Sequence, residues 1–169
     1  RGATVSELTL VPRPAGPVEI FQPISSPDTL EYAPAVGHKG VFWLGAPASL
    51  AAKWARYGEI AAAHGRALRP GEDRALVLNT FVGRTREEAC WAVRDGHDEF
   101  VRFLAPYGRF TSYLEDDGLT RKPFGYAPPL EESVRQRIMA VGSVDDVVDT
   151  IAAMRWTDSR AYRELRPGS

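Results

Sequence analysis

Strand-type and helix-type segments alternate along the first two thirds of this chain, and this alternation constrains the fold more than any other feature. Strongly apolar runs have the length and composition of strands, and amphipathic or capped segments follow each of them. Such an order predicts an α/β fold in which parallel strands are flanked by helices. The predicted strands are residues 18–25, 40–44 and 75–82, and the predicted helices are 27–36, 49–64 and 86–104.

Two of these helices have clear start signals. Ser26 precedes Pro27, which is the arrangement of an N-cap residue followed by proline at the first helical position. This helix is expected to end near Gly37, because glycine is favoured just beyond a helix C-terminus. Thr85 and Glu88 have the spacing of a capping box and open the helix at 86–104.

Hydroxyl side chains cluster where the first predicted strand meets its helix. Ser25, Ser26 and Thr29 stand at a helix N-terminus, where free backbone N–H groups and the helix dipole favour an anion. This pattern suits phosphate binding in general. The alternative is that Ser26 and Thr29 only cap the helix, since Ser-Pro helix starts are common.

Composition and charge exclude several classes of protein. The 169 residues are 44% hydrophobic and 25% charged with a net charge of −1, which indicates a globular protein without nucleic acid as its main partner. No apolar run approaches the roughly 20 residues that span a bilayer, so we expect no membrane partner. The single Cys90 cannot form an internal disulfide, which favours a cytoplasmic location, and we interpret it as a core residue. The scattered His38, His64 and His97 lack metal-ligand spacing, and we predict no metal site.

The alternation stops at residues 105–130. This segment is rich in glycine, proline and charge, and we interpret it either as a lid or as a plain surface connection. Residues 130–139 have a helical pattern, and Ser143 begins another capped helix. Residues 155–169 form a polar tail without a strand pattern.

Five sequence segments, taken in order and spacing, resemble one known family. They are LTLVPRP, QPISSPDTLEYA, KWARYGEIAAAHGR, ALVLNTFVGRTREEA and MAVGSVDDVVDTIA, and together they cover roughly residues 8–152. The chain is similar to the C-terminal half of bacterial-luciferase-like flavin-dependent monooxygenases, whose fold is an eight-stranded β/α barrel. The resemblance implies a partial TIM-type barrel with strands five to seven at residues 1–154, followed by the tail at 155–169.

The resemblance also implies a function and a site. Enzymes of this family use reduced FMN and dioxygen to oxidise a small organic substrate, and some branches use the deazaflavin F420 instead. By similarity, Ser25, Ser26 and Thr29 would bind the flavin phosphate, with Ser25 in place of an acidic residue. Gln22 would hydrogen-bond the flavin ring if it points inward, as would Asn79. Trp43 either borders the ring or is plain core.

A third interpretation comes from counting strands. About three parallel strands cannot close a barrel, which needs roughly eight. Their inner faces, with Phe21, Phe42, Trp43 and Phe81, would then be exposed. We therefore expect a homo-oligomer or a complementary barrel half as a partner. The isolated chain would in that case be a non-catalytic assembling fragment.

Overall fold

The computed structural model describes residues 14–115 and 120–164, with side chains described as far as Met154. Strands and helices alternate in this part of the chain, as predicted. The strands are β1 (Phe21–Pro23), β2 (Lys39–Trp43), β3 (Arg74–Val77), β4 (Asn79–Val82) and β5 (Met139–Gly142). The helices are α1 (Pro27–Val36), α2 (Pro47–Ala63), α3 (Arg86–Leu104), α4 (Leu130–Arg135) and α5 (Val144–Glu164).

All strand pairs in the described sheets are parallel. β2 lies between β1 and β3, with Gln22 opposite Gly40 and Phe42 opposite Leu76. β4 pairs with β5 in a separate two-stranded sheet. The predicted strand at 75–82 is therefore divided at Leu78, whose two sides pair with different neighbours. Parallel strands joined through helices confirm the predicted α/β architecture.

The strand β5 is an element that the sequence analysis missed. The predicted helix at 130–139 ends at Arg135, and Met139–Gly142 instead pairs with β4. All four residues of β5 are buried, so they show no alternation of polar and apolar residues. A short, fully buried strand cannot be distinguished from a buried helix by periodicity, and only its non-local partner decides its structure.

Local capping explains why the helix bounds were predictable. Ser26 is the N-cap of α1, and Gly37 ends the helix in the left-handed conformation with a φ of 85°. Thr85 caps α3, where its hydroxyl accepts a hydrogen bond from the Glu88 backbone N–H at 3.2 Å. Gly65, with a φ of 82°, follows the end of α2. These signals need only a few neighbouring residues, so they act before the fold is complete.

The buried apolar side chains form three clusters, and each joins different elements. The largest cluster packs α1, α2 and α5 onto the sheet, with the Phe42 ring meeting the edges of Trp54 and Tyr57. A second cluster packs the end of β2 against α3 and residues 110–113. The third joins α3 and α4 to β5, and it includes Cys90 at its border, as expected for a core thiol.

Several apolar side chains on the strands remain exposed. Phe21, Trp43 and Val77 share the sheet face opposite Phe42, because side chains alternate along a strand and register partners face the same way. Phe81 is also exposed, as predicted. The prediction for Phe42 was wrong, because this side chain is 1% exposed and points toward α2.

Polar contacts hold the described part of the 105–130 segment against α4. Gln136 bonds both backbone polar groups of Leu114, and the Tyr126 hydroxyl donates to Glu132. The Tyr113 hydroxyl lies 2.8 Å from Ser133 Oγ, which also lies 3.0 Å from His97 Nε2. The near end of the segment is thereby fixed beside the C-terminal end of β2.

Across residues 14–115 and 120–164, none of the helices combines the length and apolar character that a membrane span requires.

Candidate functional site

A cavity of about 190 Å³ lies at the C-terminal ends of β1 and β2. The strand ends form one wall, α2 forms another, and residues 107–112 form the third. Functional sites of parallel α/β folds occur at this end of the strands. The polar or aromatic side chains that line it are Ser25, Trp43, Lys53, Tyr107, Arg109, Thr111 and Ser112.

Positive charge dominates this cavity. Lys53 comes from α2, and Arg109 comes from the 105–130 segment. Among the residues that the structure describes, no carboxylate lines the cavity or pairs with either cation. A cavity with two unpaired cations attracts an anion, because its potential is not balanced from within.

Burial lowers the pKa of Lys53. Desolvation lowers the pKa of the Lys53 ammonium, and the nearby Arg121 guanidinium lowers it further. Both effects disfavour the charged form of the lysine. A bound anion would oppose both effects, so the cavity is better suited to an occupied state than to an empty one.

Backbone strain occurs at the same place. Leu44, directly after β2, has a φ of 54°, a left-handed conformation that a leucine rarely adopts. The Ser112 hydroxyl donates to the Leu44 carbonyl and so connects the strand end to the third wall of the cavity. Strained residues of this kind concentrate at functional sites.

In the predicted phosphate-binding turn, the Ser26 and Thr29 hydroxyls are engaged in capping helix α1. Ser26 Oγ accepts the Thr29 backbone N–H at 3.2 Å. Thr29 Oγ1 accepts the backbone N–H groups of Ser25 and Ser26 at 3.1 and 3.0 Å, and donates to the Ser26 carbonyl at 2.9 Å. The geometry is that of the capping alternative, and of these three residues Ser25 alone lines the described cavity.

The other predicted site residues are divided between the two faces of the sheet. Trp43 lines the cavity, is 41% exposed and meets the Phe100 ring edge-on, so it is not plain core. Gln22 shares the opposite face with Gly40, and its Oε1 is 2.8 Å from His38 Nδ1. Asn79 pairs with Met139 in the second sheet and does not line the cavity.

The sequence analysis did not indicate that Lys53, Arg109 and Thr111 belong to the site. A signal for Lys53 was present, because it lies three residues after Leu50 and four before Tyr57 on the buried stripe of α2. A lysine at such a position is unusual unless it reaches a cavity or a partner. Arg109 and Thr111 had no signal, since only the folded 105–130 segment places them here.

The histidines have structural positions. His38 lies at the N-terminal end of β2, away from the cavity, and His64 caps the end of α2 with its Nδ1 2.9 Å from the Ile60 carbonyl. Burial raises the pKa of the Cys90 thiol, which opposes a role as nucleophile. Within the described ranges, no three His, Cys, Asp or Glu side chains converge as metal ligands would.

The donor set of the cavity fits a phosphate group. Two cations and the Ser25 and Thr111 hydroxyls, which have no hydrogen-bond partner among the described residues, can all donate to its oxygens. The volume fits one small group and not a complete flavin, since pockets for larger ligands measure roughly 300 to 1,000 Å³. Other walls would have to complete a flavin site.

Parallel strands, surrounding helices and a cavity at the strand ends define an α/β protein of the β/α-barrel type. The family model described as luciferase-like monooxygenase matches residues 1–160. The chain therefore belongs to the luciferase-like monooxygenase family, a family of oxidoreductases, and the resemblance found from the sequence is confirmed.

Solved structures show the same fold. One is the oxygenating constituent of 3,6-diketocamphane monooxygenase from the CAM plasmid of Pseudomonas putida, a type II Baeyer–Villiger monooxygenase in complex with FMN. It is 22% identical, with a TM-score of 0.62 over 83% of this chain and 38% of that chain. Another is monooxygenase RslO1 from Streptomyces bottropensis, 18% identical, with a TM-score of 0.55 over 82% of this chain and 37% of that chain.

This chain thus spans less than two fifths of the length of either structure. A search of curated proteins found no match.

Proposed function

We propose that this chain forms part of a flavin-dependent monooxygenase that uses reduced FMN and dioxygen to oxidise a small organic substrate. The cavity at the strand ends carries the proposal, because it offers cations and free hydroxyls where a barrel enzyme of this family would bind its cofactor. When bound, the reduced flavin supplies two electrons, so that one oxygen atom enters the substrate and the other leaves as water.

The residues of the chain would bind and orient the cofactor. Ser25 would donate to the phosphate from the cavity wall, and Trp43 would border the ring. Ser26 and Thr29 would contribute by turning their hydroxyls from the helix cap toward the ligand. Gln22 would have to give up its hydrogen bond to His38, so the proposal rests on the other four residues.

Calorimetric titration of the 169-residue chain with FMN and with riboflavin tests the proposal. We expect FMN to bind about ten- to hundredfold more tightly, because hydrogen bonds to a charged group contribute about 1.5 to 3 kcal/mol. Ser25→Ala should remove part of this difference. Equal affinities for the two flavins would contradict it.

Two alternatives lead to different titration results. A deazaflavin-dependent oxidoreductase of the same superfamily would bind F420 in preference to FMN and transfer hydride without using dioxygen. A non-catalytic assembling fragment would bind neither cofactor and show no turnover. The family supports the general class of enzyme, and the titrations with both cofactors separate these possibilities.

We also propose a complementary barrel half as the partner of this chain, in a cytoplasmic setting. The chain spans 38% of the similar FMN-complexed structure, and Phe21, Trp43 and Val77 lie exposed on the sheet face that further strands would cover. Sedimentation velocity with a hydrophobic dye tests this. A dye-binding monomer supports the proposal, whereas a stable homodimer that excludes dye would assign the face to a second copy.

A further inference from the structure

Lys53 and Arg109 enter the cavity from two different elements, and neither is neutralised by a described carboxylate. Several other cations of the chain do have acidic partners. Lys39 bonds Glu19 at 2.5 Å, and Arg102 bonds Glu99 at 2.7 Å. Lys53 and Arg109 are therefore two cations without a described acidic partner that share one cavity.

The cavity also contains hydroxyl groups that are free to donate hydrogen bonds. The Ser25 and Thr111 hydroxyls line the cavity without a hydrogen-bond partner among the described residues. Ser26 and Thr29, by contrast, use their hydroxyls for each other and for the backbone. Free donors and cations thus coincide in the cavity, while the turn that the family resemblance indicates is already satisfied.

We propose that this cavity is an oxyanion subsite in which Lys53 and Arg109 bind a phosphate-class group, at a place distinct from the Ser26–Thr29 turn. Two cations match the charge of a dianionic phosphate, and the hydroxyls of Ser25 and Thr111 add hydrogen bonds to its remaining oxygens. The arginine supplies directed donors, and the lysine supplies a compact charge.

Partial burial of Lys53 favours an anion in the cavity. A desolvated ammonium beside Arg121 is unfavourable by itself, and an anion between the cations would offset that cost. The Ser112 hydroxyl, bound to the Leu44 carbonyl, keeps the wall that carries Arg109 and Thr111 beside the strand end. Arg109 therefore lies on a wall that is tied to the strand end, whereas Lys53 lies on helix α2.

The inference deepens the proposed function, and it is tested first without flavin. Binding of inorganic phosphate to the 169-residue chain is measured by calorimetry and by ³¹P NMR line broadening at constant ionic strength. We expect saturable binding that Lys53→Met and Arg109→Gln each weaken by about tenfold or more. The matched controls Lys39→Met and Arg102→Gln remove the same charges elsewhere and should change binding less than about twofold.

Absence of saturable phosphate binding overturns the inference, and so does an equal loss in the control variants. Circular dichroism of each variant shows whether it is folded, and Lys53→Arg should restore binding if the charge is what matters. Loss of binding in a folded Lys53→Met variant with rescue in Lys53→Arg supports the subsite.

Competition between phosphate and FMN then identifies the source of the oxyanion. Mutual exclusion assigns the subsite to the phosphate of the cofactor, and simultaneous binding assigns it to an anionic group outside the flavin. Phosphate binding together with equal affinities for FMN and riboflavin would contradict the proposed function while the subsite stands. FMN binding that is insensitive to both pocket variants, with no phosphate binding, would overturn the subsite alone.

Discussion

The side-chain amide of Gln136 bonds both backbone polar groups of Leu114. Its Oε1 accepts the Leu114 N–H at 3.0 Å, and its Nε2 donates to the Leu114 carbonyl at 2.8 Å. One side chain just beyond α4 thus substitutes for a neighbouring strand. This contact fixes the described part of the 105–130 segment at Leu114, whereas the sequence left open whether the segment is a lid or a plain connection.

Removal of this contact should loosen the segment. Gln136→Ala leaves two backbone groups of Leu114 without their partner, and we expect the free energy of unfolding to fall by about 1 to 2 kcal/mol. Hydrogen exchange at Leu114 and Glu115 should become faster. The exposed Arg102→Ala is the control, since its ion pair with Glu99 should contribute less than about 0.5 kcal/mol. Unchanged exchange in Gln136→Ala would contradict the tether.

Two buried serines should respond in opposite directions to alanine. Ser49 Oγ is buried without a hydrogen-bond partner among the described residues, so Ser49→Ala should stabilise the protein by about 1 kcal/mol. Ser133 Oγ contacts both His97 and Tyr113, so Ser133→Ala should destabilise it by about 1 to 3 kcal/mol. Urea unfolding with an unchanged slope measures both effects. Equal effects of the two substitutions would show that Ser49 has a partner in solution.

Alanine substitutions at two glycines close in sequence, Gly58 and Gly65, should also change stability in opposite directions. A Cβ added to Gly58 or to Gly65 would meet no atom within 4 Å, so only the backbone distinguishes the two positions. Gly58 lies inside α2, and Gly58→Ala should stabilise the protein by about 0.5 to 1 kcal/mol. Gly65 has a φ of 82°, and Gly65→Ala should destabilise it by about 1 kcal/mol. Thermal unfolding of both variants checks the opposite signs.

Stability should decrease in alkaline solution because of buried tyrosines. Burial raises the pKa of Tyr113 to about 12, whereas the unfolded chain ionises at its ordinary pKa near 10. The unfolded state therefore loses this proton first. The contribution is complete below pH 10 and is lost as pH rises through the window up to about 12, by about 3 kcal/mol at most.

Urea unfolding between pH 8 and pH 12 measures this loss. Tyr113→Phe should make the decrease with pH shallower, although it also removes the contact with Ser133 at every pH. Burial raises the pKa of Tyr57 as well, so part of the decrease should remain in the variant. Tyr107→Phe, at an exposed position, serves as the control. The same pH dependence in Tyr113→Phe and in the unchanged chain would contradict the assignment.

A residue of the candidate site was predictable only where its own strand or turn indicates that it lies at a strand end. Ser25 and Trp43 stand at strand ends, and both line the cavity. Gln22 stands one residue from the end of β1 and nevertheless faces the helices, because its register with Gly40 decides its side of the sheet. Arg109 could not be found, since its stretch of chain is held at the strand end by a tertiary contact, that of the Ser112 hydroxyl with the Leu44 carbonyl.

The sequence by itself determined the family, the α/β order and the helix bounds at 27–36 and 86–104. These depend on caps and periodicity within a few residues, which act locally. Only the tertiary structure decided that Met139–Gly142 is a strand, that Phe42 is buried and that Lys53 and Arg109 line the same cavity. The physical reason is that strand pairing, burial and charge proximity depend on residues far apart in the chain, whose positions are fixed only when the whole domain packs.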